Sequence, residues 1–243
     1  MGFATKPELA RRMIARAIAA EIPFAWVLGD EVYGSNRRPR IDLEQQQRPF
    51  VLAIRSNEKL WSMLDDRPGQ HAAATLAAAV SAEEWQRLSA GAGAKGERFY
   101  DWARVRLMRL QQPPWEHWLL VRRHSSKPDQ LAYYVVFGPA ETSLATLARV
   151  AGRRWAIEEC FEVAKQEVGL ADYEIRSRHG WYRHITLAML ALAFLAAMRV
   201  TLKAATPAVT ASGKKGQSEP DLWSISAQMK SAISSAACNN SPA

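Results

Sequence analysis

The chain has 243 residues, 48% of them apolar, 23% charged and 9% aromatic, which is the balance of a globular protein with a substantial core and excludes disorder as its main state. Lysines and arginines exceed acids by eight, a surplus that favours polyanionic partners, nucleic acid first among them. Two cysteines, Cys160 and Cys238, cannot make a disulfide framework or a cysteine zinc site, and they fit a reducing, cytoplasmic setting.

In chain order, Pro7 to Ala20 has the pattern of an amphipathic helix, with Pro in the first turn and Leu9, Met13, Ile14 and Ala17 on one side. Phe24 to Asp30 reads as a short strand ending on a carboxylate. Ser35 or Asn36 can cap a helix over Arg37 to Gln47, and Pro49 to Ile54 reads as a second strand. Helix, strand, helix, strand is α/β alternation with a parallel sheet. Residues 55–80 read as irregular, with Asp65, Asp66, Pro68 and Gly69 marking a loop. Ser81-Ala-Glu-Glu84 is a capping box expected to start a short helix holding Trp85 and Leu88, and Gly91 to Gly96 reads as a flexible turn. Three β-like segments follow, Arg98 to Arg109, Trp115 to Arg123 and Ala132 to Phe137, as an antiparallel insertion. Helices are then expected over Thr142–Val150, Trp155–Val168 and Trp181–Val200. Beyond Lys203 the composition predicts a loose tail.

The long apolar run, Ile185 to Met198, has 14 residues where a membrane span needs about 20. Bounded by Arg183, His184 and Arg199, it is expected to be a buried core helix, with an interfacial helix as the alternative, and no membrane partner is expected.

Two places carry candidate chemistry. In Arg154-Trp-Ala-Ile-Glu158-Glu-Cys-Phe-Glu-Val-Ala-Lys165, helical spacing puts Arg154, Glu158 and Lys165 on one face. A surface ion-pair ladder is the plain alternative, although Trp155, Ile157 and Phe161 crowd the same helix. Asp30 stands at the C-terminal end of a strand, where open α/β sheets bind ligands, or else caps a helix. Two carboxylates from distant parts of a chain can share a hard cation such as Mg²⁺, and paired cations can drive phosphodiester chemistry. The histidines show no metal-ligand spacing, and neither a nucleophile elbow nor a phosphate-binding glycine loop is present.

Leu28-Gly-Asp30-Glu-Val-Tyr-Gly34 resembles the second-aspartate motif of the DDE transposases of bacterial insertion sequences, and Arg154 to Lys165 resembles their Y-x2-R-x3-E-x6-K signature. Gly169-Leu170 and Trp181-Tyr-Arg-His-Ile185 are also family-like. The resemblance spans roughly residues 7–200. It implies an α/β, RNase H-like fold, with residues 1–54 as a partial core, 55–140 as a β-rich insertion, 141–200 as helices completing the core, and 201–243 as a flexible tail. It implies Asp30 and Glu158 as catalytic and metal-binding carboxylates for Mg²⁺ or Mn²⁺, Arg154 and Lys165 as DNA phosphate contacts, and transposon-end DNA as partner, with a homo-oligomer expected. Glu159 competes with Glu158 but lies about 100° around the helix. The family's Tyr falls at Ala151. Its first Asp should precede the Pro7 helix, where this sequence has none, so the resemblance implies a partial fold lacking the first strands, with weakly held metal and no DNA cleavage alone. A DNA-binding or dimerising remnant, or a product of gene decay, are the alternatives.

Overall fold

The computed structural model describes residues 3–93, 96–109 and 114–205. The predicted tail beyond residue 205, and the tip of the glycine-rich turn at 94–95, lie outside them.

Thr5 caps α1 (Lys6–Ala19), and Asn36 caps α3 (Arg37–Gln45) by accepting from the Arg38 amide at 3.1 Å. Between them run β1 (Val27–Gly29) and a single helical turn, α2 (Glu31–Gly34). β2 (Phe50–Ile54) pairs parallel to β1, so the expected α/β alternation forms. Arg11 bridges α1 to α3 through Asp42 at 3.0 Å.

Residues 55–80 are not irregular. β3 (Lys59–Leu64) and β4 (Arg67–Ala72) form a hairpin, followed by α4 (Ala73–Ala78). Asp65 and Asp66 are the two-residue turn, both with positive φ (50° and 58°), a conformation that aspartate tolerates. The capping box at Ser81 and Glu84 forms, but the helix it opens is one 3-10 turn (Ala82–Glu84). Leu88, expected on that helix, lies instead on β5 (Gln86–Gly93), because pairing with β6 (Gly96–Arg106) outweighs the local signal.

β7 (Trp115–His124) and β8 (Lys127–Pro139) complete one six-stranded sheet, in the order β1-β2-β8-β7-β6-β5. Every neighbouring pair after β1–β2 is antiparallel. The strands of 86–139 are therefore not a body apart. β8 pairs directly with β2, Phe50 opposite Phe137 and Leu52 opposite Val135.

Period-two alternation sends successive side chains to opposite faces, and both faces are covered. Phe50, Leu52, Ile54, Leu119, Val121, Val135 and Phe137 pack beneath Leu43 of α3 and Leu76 of α4. Val51, Leu120, Tyr134, Val136, Trp102 and Trp118 pack beneath α5 (Leu144–Gly152). The α5 stripe of Leu144, Leu147, Ala148 and Ala151 is the helical counterpart of that second face. Mixed α/β architecture with a curled sheet is compatible with an RNase H-like domain.

α6 (Ala156–Glu167) and α7 (Arg178–Ala205) follow. The expectation of a buried core helix at Ile185–Met198 is corrected here. Over Arg178–Leu202 the helix is long and apolar enough to cross a membrane, and only 6% of its apolar window is buried. The chain divides into residues 1–188 and 189–243, with the boundary inside α7.

At Gly152, where α5 meets β5, a methyl group would stand 1.9 Å from the Ala90 carbonyl oxygen. Gly152→Ala is expected to force α5 off the sheet and lower stability by about 1–3 kcal/mol, read from urea denaturation.

Candidate active site

Asp30 follows β1 directly, at the C-terminal end of the parallel β1–β2 pair, and its side chain is exposed. Its Oδ1 accepts from the Val32 amide at 3.0 Å and so caps α2. The capping role and the strand-end position thus hold together, leaving Oδ2 uncommitted among the described residues. The next residue, Glu31, lies 3.4 Å from Arg55.

Glu158 lies in the first turn of α6. Arg154 is not on that helix but in the 3-10 turn Arg153–Trp155 before it. The predicted pairing still forms, with Arg154 Nη1 3.3 Å from Glu158 Oε1. A pair this exposed contributes about 0.3–0.5 kcal/mol. Lys165 is exposed in the last turn of α6, two turns beyond Glu158. Trp155, Ile157 and Phe161, which seemed to leave little solvated surface, are themselves exposed, and Ala164 is the buried residue of α6. Ala151, at the position of the family's Tyr, is buried in the α5–sheet interface.

The structure brings Arg154 to Glu158. Among the described residues no hydrogen bond or ion pair joins Asp30 to Glu158. Both are hard oxygen donors of the type that suits Mg²⁺ or Mn²⁺. Among the described residues, however, no three His, Cys, Asp or Glu side chains form a metal-binding group. The fit to a divalent ion is therefore one of donor type and not of arrangement.

The arginines clustered at residues 37–40, 104–109 and 122–123 are largely spent on internal contacts. Arg40 pairs with Glu58 at 2.9 Å, Arg106 with Glu116, and Arg109 with Glu44. Arg104 donates to the Thr142 carbonyl and lies over Trp118, Arg122 lies over Tyr100, and Arg123 over Trp85. Arg37 and Arg38 are exposed on α3. Among the tryptophans of the strand-rich segment, Trp102 and Trp118 are core, Trp115 stacks on Phe137 at 4.7 Å, and Trp61 is exposed on the β3 hairpin.

Sequence reasoning missed a buried charged group. Glu44 of α3 meets Arg109, and it lies 3.1 Å from Nε2 of His117 on β7, whose ring packs on Phe137. The partners lie far apart in sequence, so no local pattern announces them. Their place beneath the sheet makes them structural.

Residues 1–107, from α1 through β6 and including Asp30, match the family model described as DDE superfamily endonuclease. The match covers less than half of the chain and supports a likeness of that stretch to DDE-type transposase domains. Arg154, Glu158 and Lys165 lie beyond the matched residues. No curated protein matches the chain. Endonucleases of this superfamily generally use divalent metals and act on DNA.

The Glu44 group sets an acid limit. Burial pushes the Glu44 carboxyl up, but the hydrogen bonds from His117 and Arg109 outweigh it and hold the carboxyl below its ordinary value of 4.5. A carboxylate depressed in the folded state stabilises the fold above its unfolded pKa, and that stability is lost as pH falls through the folded value. Thermal melting is expected to decline below about pH 4.5. Glu44→Gln is expected to flatten this part of the profile while lowering stability at neutral pH by on the order of 3 kcal/mol.

Proposed function

We propose that the chain is the DNA-processing domain of a DDE-type transposase, acting on the phosphodiester backbone at transposon ends. The family match that encloses Asp30 carries this reading. In it Asp30 and Glu158 are the acidic site residues, and Arg154 and Lys165 contact phosphates beside them. The net charge of +8 and the exposed pair Arg37–Arg38 favour a polyanion. In this reading Asp30 and Glu158 would supply oxygen donors of the type that suits Mg²⁺ or Mn²⁺. A cytoplasmic setting and self-association through the β1 edge belong to the same reading, because an edge strand invites pairing.

A second reading is favoured by one observation. Since the described residues gather no metal-binding group, the chain serves as a DNA-binding or dimerising domain without turnover of its own.

Both readings share a binding test, and a nicking assay separates them. Duplex DNA should bind with steep salt dependence. Lys165→Ala and Arg154→Ala are each expected to weaken binding and reduce the slope of log affinity against log salt by about 1. Sustained Mg²⁺- or Mn²⁺-dependent nicking by the purified chain, abolished by Asp30→Asn, would establish the first reading over the second. Binding without nicking would establish the second. Absence of DNA binding at low salt would end both.

A further inference from the structure

Residues 173–184, Tyr-Glu-Ile-Arg-Ser-Arg-His-Gly-Trp-Tyr-Arg-His, hold three aromatic rings, three arginines and a single acid, Glu174. None of this is used by the candidate site. Trp181 and Tyr182 lie early in α7, 37% and 53% exposed, with their rings edge to face at 5.1 Å. Each ring thus restrains the other while both stay open to solvent. One turn earlier, the Arg178 guanidinium lies 5.6 Å from the Tyr182 ring centre. Arg183 is exposed beside them.

The approach to α7 is held in place. The Ser177 hydroxyl accepts from the Gly180 amide at 3.1 Å, and Tyr173 packs on His184 at 5.6 Å. His184 Nε2 in turn lies 3.1 Å from the Gly169 carbonyl oxygen. The rings are therefore presented by a braced segment.

Flat apolar faces next to fixed cations match a ligand that is itself flat, apolar-faced and anionic. An unpaired nucleotide has that chemistry: its base can stack on a ring while its phosphate meets a guanidinium. Bases within an intact duplex hide their faces against one another and cannot do so. A lipid surface would also meet arginine and tryptophan. Because α7 over Arg178–Leu202 is long and apolar enough to cross a membrane, lipid is the alternative that the test below must separate from DNA.

We propose that Trp181 and Tyr182, flanked by Arg178 and Arg183, form a stacking platform for unpaired nucleotides, so that the chain prefers single-stranded or frayed DNA to closed duplex. The proposal rests on the DNA reading above and adds a site distinct from Asp30 and Glu158.

The test uses the full chain and fluorescence anisotropy with a labelled single strand and a blunt duplex of matched sequence. The single strand is expected to bind more tightly. The double variant Trp181→Ala/Tyr182→Ala should lose about tenfold or more of that affinity, with duplex binding little changed. Trp181→Phe, which keeps a ring, should retain most of it. A single strand carrying 2-aminopurine should be quenched on binding to the native chain and not to the double variant. Equal affinity for the two DNAs, or equal loss of both in the double variant, would overturn the platform alone. Failure of the native chain to bind either DNA would overturn the platform together with the DNA reading. If the double variant lost binding to vesicles of phosphatidylserine and phosphatidylcholine but kept its single-strand affinity, the patch would belong to a lipid surface and the proposal would be wrong.

Discussion

The architecture depends on β2 satisfying two partners at once. Phe50–Leu52 pair parallel with β1 on one edge, and all five residues pair antiparallel with β8 on the other, while the side chains alternate between two buried faces. Phe50 meets Phe137 across the rung, with ring centres 5.8 Å apart, and Val51 faces the α5 side. The α/β segment that carries Asp30 is therefore locked to the antiparallel strands by backbone hydrogen bonds and by core packing on both sides. A shift of one residue in β2 would exchange its buried faces and break both ladders. The position of Asp30 is fixed through this strand, because β1 has β2 as its neighbour in the sheet.

The same constraint explains which parts of the fold are legible in the sequence. β2, β7 and β8 are near-continuous apolar runs because they are covered on both faces, α1 declares itself by a proline in its first turn and spaced apolar positions, and α3 by a capping residue. Where the signal is short-range and the outcome long-range, the reading fails. The capping box at Ser81 forms as written, yet it yields a single turn, because Gln86 to Ser89 finds a ladder opposite Phe99 to Trp102. The β3–β4 hairpin is hidden for the opposite reason. Pro68 and Gly69 look like loop residues, and they are tolerated because, among the described residues, β4 has only β3 as a partner. Inside that hairpin Ser62 is buried, its hydroxyl donating to the Arg106 carbonyl, so the alternation includes a polar residue that hides the pattern.

The candidate residues are legible as types and spacing, and their joint geometry is not. Arg154 and Glu158 meet as their four-residue interval requires, although the first stands on a 3-10 turn. Asp30 occupies the expected strand end and also caps α2, so two uses that looked like alternatives coexist on one side chain. Convergence of two carboxylates as distant in sequence as Asp30 and Glu158 would be a tertiary property, which no local pattern encodes. The arginine clusters illustrate the same limit. A basic run reads as surface charge, yet Arg104, Arg106, Arg109 and Arg123 are each committed to a carbonyl, a carboxylate or an aromatic ring. Net charge therefore overstates the cationic surface available to a polyanion.

α7 shows what hydrophobicity leaves open. An apolar run of 14 residues states that its surface is better off out of water, but it does not name the cover. Leu187, Leu190 and Phe194 recur three and four residues apart, which places them on one side of the helix, and all are exposed. Ala188, between them in sequence, is buried on another side. Composition alone cannot separate a core helix from one that awaits a cover, because both satisfy the same count. The discriminating feature is at the helix start, where Arg178, Trp181, Tyr182 and Arg183 join cationic and aromatic groups within two turns. A core helix has little use for that mixture, since burying guanidinium groups is costly. The chemistry of its first turns thus says more about the role of α7 than the apolar length behind them.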